Sequence, residues 1–176
     1  LKNFKVAILM GGTSTERTIS IKTGNQVLRC LKKKRIIVKK FVIGKNIKQF
    51  IREIIEYSPN KVFNALHGKF GEDGQIQSIL NFLKVPYTHS GVTSSAIAMN
   101  KYFSKIIFKS NGIPCPNGQI VKRDDKLNLN LGFPLVIKPV DGGSSIDVKL
   151  VKKKNELNKN LKDFFLKNNS GLLEEF

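Results

Sequence analysis

Phe4-Lys5-Val6-Ala7-Ile8-Leu9-Met10-Gly11-Gly12-Thr13-Ser14-Thr15-Glu16 is the stretch that decides the fold. Residues 4–10 form a short apolar run that stops at two glycines, the pattern of a buried strand entering a tight turn. A helical pattern follows from about residue 16 to 33, with Val27, Leu28 and Leu31 on its inner face. Working outward, residues 36–43 read as a second strand. Ile47, Phe50, Ile51, Ile54 and Ile55 recur at the i, i+3, i+4, i+7, i+8 spacing of an amphipathic helix, which Pro59 closes. Residues 62–66 read as a buried strand, Ile76, Ile79, Leu80 and Leu83 as the inner face of a helix, and residues 85–87 as a further strand. Strands alternating with helices predict the α/β class, with a mainly parallel sheet and right-handed crossovers.

A helix is predicted over 94–110, stopped by Asn111-Gly112 with Pro114 just beyond. After it the pattern changes. Residues 118–121, 135–138 and 148–151 read as short strands joined by turns. One helix follows with Leu157, Leu161, Phe164 and Phe165 inward, and residues 172–176 read as a last strand. A domain boundary falls near residues 90–96, which divides the chain into domains 1–95 and 96–176.

The 176 residues suffice for one ordinary domain or two small ones, and 40% hydrophobic content supports a core. No apolar run approaches the roughly 20 residues of a membrane span, and the start shows no signal-peptide layout. Leu1 in place of an initiator Met reads as a clipped start. Cys30 and Cys115 are far apart, which fits reduced core thiols in a cytosol better than a disulfide framework or metal site. Net charge is +18, and nucleic-acid binding is the sharp reading of it. The excess is spread over the chain, however: 17 basic against 5 acidic residues through position 95, and 14 against 8 after it. The clusters Lys32-Lys33-Lys34-Arg35 and Lys152-Lys153-Lys154 fall at a helix end and a strand–helix junction, where cations are ordinary. No aromatic-plus-basic RNA signature accompanies them. A lysine-rich solvated surface is the better reading.

Three loops carry candidate chemistry. Gly11-Gly12-Thr13-Ser14-Thr15-Glu16 joins a strand to a helix start, which offers free N–H groups to an anion. It lacks the third glycine of a dinucleotide fingerprint and the Gly-Lys-Ser/Thr of a P-loop, so a plain capped turn with Glu16 in the first helical turn remains open. His67-Gly68-Lys69-Phe70-Gly71-Glu72-Asp73-Gly74 follows the strand at 62–66. Ligands of open α/β sheets gather at the carboxyl ends of strands, so these two loops can share a crevice. Val136-Ile137-Lys138-Pro139 is an apolar strand that delivers one lysine into Val140-Asp141-Gly142-Gly143-Ser144-Ser145. A lysine there is costly unless an anion meets it, and the glycine–serine loop can wrap phosphate oxygens. The alternative is a solvent-facing lysine beside a surface turn. Lys101, early in the 94–110 helix, can add a second cation.

GGTSTER at 11–17, HGKFGEDG at 67–74 and IKPVDGGSS at 137–145 stand in one order. Tyr87-Thr88-His89-Ser90-Gly91 and Ala98-Met99-Asn100-Lys101 lie between the last two. Together they resemble the D-alanine–D-alanine ligase family over the whole chain. The resemblance implies a Rossmann-like parallel-sheet domain followed by the first part of an ATP-grasp domain. It implies a cytoplasmic enzyme that joins two D-alanines for peptidoglycan synthesis, cell-wall biogenesis and cell shape. ATP would phosphorylate the carboxylate of the first D-alanine, and the amine of the second would attack that acyl phosphate. Glu16 matches the family's carboxylate for the first D-alanine's ammonium, His67 the histidine beside the substrate, and Ser144 the serine of the same network. These three are expected to converge on one crevice. Lys101 and Lys138 match the ATP-phosphate lysines, Ser145 joins them, and Glu174 and Glu175 match the start of the stretch that reads adenine. The implied partners are D-alanine and ATP, with a homodimer compatible and neither nucleic acid nor membrane expected.

Two departures qualify the resemblance. The family's pattern Ser-Ser-Val-Gly has Asp147 at its glycine position, unfavourable if that residue needs φ > 0. The family also continues past residue 176, and its Mg2+ ligands are expected there, with none in this chain. A piece of the enzyme that is inactive alone is therefore the expectation. The alternative from another class is a non-catalytic nucleotide-binding module of the same fold.

Overall fold

The computed structural model describes residues 3–125, 127 and 129–176. They divide into two compact units, residues 1–96 and 97–176.

In the first unit, β1 (Lys5–Gly11) is the central strand, with β2 (Ile37–Ile43) and β3 (Lys61–Asn64) parallel on either side. Every residue of β1 after Lys5 is buried, as expected of a strand covered on both faces. Alternation assigns its side chains to two cores. Ile8 and Met10 pack with Ala65 against Val27, Leu28 and Leu31 of α1 (Arg17–Lys33). Gly24 lets that helix come close, since a Cβ there would lie 2.6 Å from Met10 Cε. Ala7 and Leu9 face Phe50 and Ile54 of α2 (Ile47–Tyr57), and Ile76 and Leu80 of α3 (Gln75–Phe82).

Two expectations are corrected. Residues 85–87 form no strand, only a single parallel bridge between Val62 and Tyr87. Pro86 has no N–H to donate, although its carbonyl accepts from Val62 N at 2.8 Å. At the next position Asn64 N donates to Thr88 Oγ1 at 3.2 Å rather than to a backbone carbonyl. The helix expected over 94–110 is two helices, α4 (Val92–Met99) and α5 (Lys101–Ser110). Asn100 is extended at φ −89° and ψ 102°, and its side chain accepts from Tyr102 N and Phe103 N. It thereby caps a new helix and makes Lys101 its first residue.

The second unit is an antiparallel sheet ordered β4-β7-β5-β6, from β4 (Gly118–Lys122), β5 (Leu135–Pro139), β6 (Lys149–Val151) and β7 (Ser170–Glu175). Leu157, Leu161, Phe164 and Phe165 of α6 (Lys154–Phe165) are buried against Val121, Leu135, Ile137, Val151 and Leu173. Both cysteines are free, but Cys30 is exposed and Cys115 half-buried, so the expectation of core thiols fails. Cys30 lies on α1 away from the Val27, Leu28 and Leu31 face. Among the described residues no helix is long and apolar enough to cross a membrane.

Candidate functional site

In the first unit the β1–α1 loop is tied to the end of β3. Gly11 and Gly12 have φ of +91° and +84°, and a Cβ on Gly11 would lie 2.9 Å from the Ile43 carbonyl oxygen. Only glycine suits that turn. Gly12 N donates to Ile43 O at 3.0 Å, and Arg17 Nη1 donates to Gly12 O and Ile43 O at 2.7 and 2.8 Å. Beneath the turn, fully buried Ser20 accepts from Gly11 N and donates to Ala65 O. Ser14 Oγ donates to His67 O at 2.7 Å and accepts from Glu16 N at 3.2 Å.

These bonds put Glu16 and the loop after β3 side by side. Glu16 is buried at the N-cap of α1, and its side chain makes no capping bond. A Cβ on Gly68 (φ +69°) would meet Glu16 Oε2 at 2.7 Å, so the carboxylate lies directly against the glycine. His67 Nε2 is 3.3 Å from Thr23 Oγ1 on α1. The other two carboxylates of the loop serve the loop itself. Glu72 Oε2 accepts from Gly68 N at 2.6 Å, and Asp73 Oδ2 from Phe70 N at 2.8 Å. Buried Asn64 braces the same loop by donating to Gly71 O, and lies 2.9 Å from His89 Nδ1.

In the second unit a cleft of about 530 Å³ is lined by Lys101, Lys138, the loop 142–146, Glu174 and Glu175. Lys101 N donates to Val140 O at 2.9 Å and its Nζ to Gly142 O at 2.7 Å, which fastens the start of α5 to the glycine–serine loop. Burial lowers the Lys101 pKa from the ordinary lysine value, and the Lys138 charge lowers it further against the pull of Asp141 and Glu174. Lys138 forms an ion pair with Glu174 Oε1. Glu174 Oε2 accepts from Lys105 Nζ at 2.6 Å. Burial raises the Glu174 pKa, but the hydrogen bonds and charges of Lys105 and Lys138 outweigh it and hold the carboxyl below the ordinary range. Gly118 makes room for this side chain, since a Cβ there would lie 2.8 Å from Glu174 Cβ. Glu175 instead ties two loops, accepting from Asn117 Nδ2 at 3.2 Å and Gly132 N at 3.1 Å. In the loop itself Ser144, Ser145 and Asp147 have φ of 54°, 56° and 57°. So Asp147 does occupy the left-handed region, with its carboxylate 3.9 Å from Lys167 Nζ.

The sequence model described as D-ala D-ala ligase N-terminus matches residues 48–90, and that of the D-ala D-ala ligase C-terminus matches residues 107–176. A curated D-alanine–D-alanine ligase of Pelagibacter ubique is 47% identical over 180 residues, covering 98% of this chain and 57% of the relative. One of Paramagnetospirillum magneticum is 43% identical over 149 residues, covering 84% and 49%. The crystal structure of D-alanine–D-alanine ligase from Bacillus anthracis superposes with a TM-score of 0.86 at 35% identity, over 98% of this chain and 57% of that one. This chain belongs to the D-alanine–D-alanine ligase family. A second Bacillus anthracis ligase structure, complexed with ATP, matches at TM-score 0.84 and 34% identity, over 98% of this chain and 58% of that one. The chain spans about half the length of the curated relatives it matches.

Within this family member the residues singled out from sequence fall into two groups. Glu16 and His67 stand on adjoining loops of the first unit. Lys101, Lys138, Ser144, Ser145, Glu174 and Glu175 line one cleft of the second. Sequence reading missed Thr23, Asn64 and Lys105. Thr23 and Lys105 carried no local signal, lying on helices without a motif. Asn64 did, as a polar residue inside an apolar strand pattern.

Proposed function

We propose that this ligase-family chain carries the first-substrate pocket and one wall of the ATP cleft of an enzyme joining two D-alanines. The observation that supports this most is the cleft that sets Lys101 and Lys138 around the glycine–serine loop, in a chain 34% identical to a ligase solved with ATP. Phosphate oxygens need such donors: two ammonium groups, hydroxyls and loop N–H groups in a partly dry site. Glu16 and His67 serve the first D-alanine, with Glu16 pairing its ammonium and so fixing its position. Lys101, Lys138 and Ser145 hold the phosphates, and Glu174 and Glu175 lie toward the base. A carboxylate oxygen of the first D-alanine forms a bond to the γ-phosphorus as the bond to the ADP oxygen breaks. The amine nitrogen of the second then bonds to the acyl carbon, phosphate leaves with the C–O electron pair, and the amine loses a proton. The product supplies peptidoglycan precursors, and with it cell-wall growth and cell shape. We place the reaction in the cytoplasm.

Magnesium, which the family implies, does not fit the residues present. Among the described residues no three His, Cys, Asp or Glu gather where they could hold a metal ion. Glu174 is engaged by two lysines, and Glu175 by Asn117 and Gly132. We propose that the metal ligands lie outside residues 1–176 and that these residues alone make no dipeptide. The test is ATP titrated into the isotope-labelled chain and followed by NMR. Shifts should centre on Lys101, residues 136–146 and Glu174. Lys138→Ala should weaken binding about tenfold, the effect of one charge-assisted contact of about 1.5–3 kcal/mol. Unchanged affinity in that variant would remove Lys138 from the phosphate site.

A further inference from the structure

Lys105 is the one buried lysine among the described residues, and neither substrate nor phosphate binding gives it a task. It lies one helical turn beyond Lys101 on α5. Its ammonium reaches across to β7 and meets Glu174 Oε2 at 2.6 Å, with side-chain exposures of 11% and 9%. The other oxygen of the same carboxylate holds Lys138. One anion therefore sits between two cations of different standing: Lys105 is enclosed, whereas Lys138 is 24% exposed and lines the cleft. Gly118 stays bare at the root of this side chain, since a Cβ there would lie 2.8 Å from Glu174 Cβ.

The difference in exposure has a consequence for ligand binding. A lysine held on Glu174 offers an incoming phosphate only the N–H groups that the carboxylate leaves over, and turning fully to the phosphate means leaving Glu174. If Lys138 were the only partner, drawing it away would strand a buried carboxylate, which is strongly unfavourable. A second cation that stays behind removes that penalty. We propose that Lys105 is a positioning residue of the nucleotide cleft: it keeps the Glu174 carboxylate fixed and compensated at the cleft floor, so that Lys138 can leave it for a phosphate oxygen. This rests on the ATP reading given above. Lys105 touches no ligand in this role and acts only through Glu174.

The experiment compares the wild-type chain with Lys105→Met, Lys105→Arg and Lys138→Ala. Two quantities are read by NMR: ATP affinity, and the pH at which the Glu174 side-chain carboxyl titrates. Lys105→Met should raise the titration pH of Glu174 and weaken ATP about tenfold or more, because Lys138 is then the carboxylate's last partner. Lys105→Arg keeps the charge in a buried ion pair and should restore both. A merely structural lysine would lower stability in Lys105→Met without moving the Glu174 titration. The proposal falls alone if the wild type binds ATP, Lys138→Ala weakens it, and Lys105→Met leaves affinity and titration in place. If the wild-type chain binds no ATP, the nucleotide reading falls and this proposal with it.

Discussion

Glu174→Gln isolates the electrostatics of the second unit, because it keeps the side chain's shape and removes its charge. Lys105, 11% exposed at its side chain, would then hold an ammonium with no anion beside it. Removing one partner of a buried pair costs about 3–5 kcal/mol. Lys138 is 24% exposed and can turn to water, so its share is that of a surface pair, below about 1 kcal/mol. The glutamine oxygen can still accept from Lys105, which returns about 1 kcal/mol. The expected loss is about 2–5 kcal/mol, read by urea unfolding at the amides of buried Val121 and Leu173. Acid adds a second arm. The Glu174 carboxyl lies below its ordinary value near 4.5 when folded. Its stabilisation is therefore complete above the unfolded value and is lost as pH falls through the folded one. Stability of the wild type should drop over that acid window, and the variant should show a shallower slope. A loss under about 1 kcal/mol with the acid slope unchanged would show that the pair is screened by water, and the reasoning would be wrong.

Gly68→Ala forces a methyl to within 2.7 Å of Glu16 Oε2 at a φ of +69°. It should destabilise the first unit by about 1–2 kcal/mol and displace the Glu16 carboxylate, seen as altered shifts at Ser14 and Glu16. Ser20→Ala leaves Gly11 N and Ala65 O without the hydroxyl that joins them. Thermal unfolding should report a loss of about 1–3 kcal/mol, and no loss would mean that water replaces the hydroxyl.

The periodicities of the chain carried the architecture because burial dictates them. The apolar run that became β1 ends at two glycines whose positive φ the turn requires. The 3.6-residue spacing of Phe50 and Ile54, and of Leu157, Leu161 and Phe164, marked faces that are indeed buried. What escaped was decided by hydrogen-bonding partners that periodicity does not report, near in the chain as well as far. Residues 85–87 looked like a strand, but Pro86 cannot donate and Thr88 meets Asn64 with its side chain. Asn100 looked like a helix interior, but its side chain starts a new helix. The roles of the two carboxylates after His67 had no signal either, for Glu72 and Asp73 are taken by backbone N–H groups of their own loop. Lys105 was invisible for the same reason, since Glu174 is 69 residues away. The family's glycine at Asp147 raised a left-handed φ there only as a condition, and the structure has it. The same conformation at Ser144 and Ser145 had no sequence signal.

The central claim is that these residues form the substrate pocket and part of the ATP cleft of a D-alanine–D-alanine ligase. Its most direct test joins residues 1–176 to the unmatched remainder of the Pelagibacter ubique ligase, 47% identical over the matched part. The purified chimera is incubated with ATP, magnesium and D-alanine, and dipeptide, ADP and phosphate are measured. The account predicts all three in equal amounts, with production abolished by Glu16→Gln and strongly reduced by Lys138→Ala. A folded chimera that binds ATP and makes no dipeptide, or one that keeps full turnover with Glu16→Gln, would contradict it.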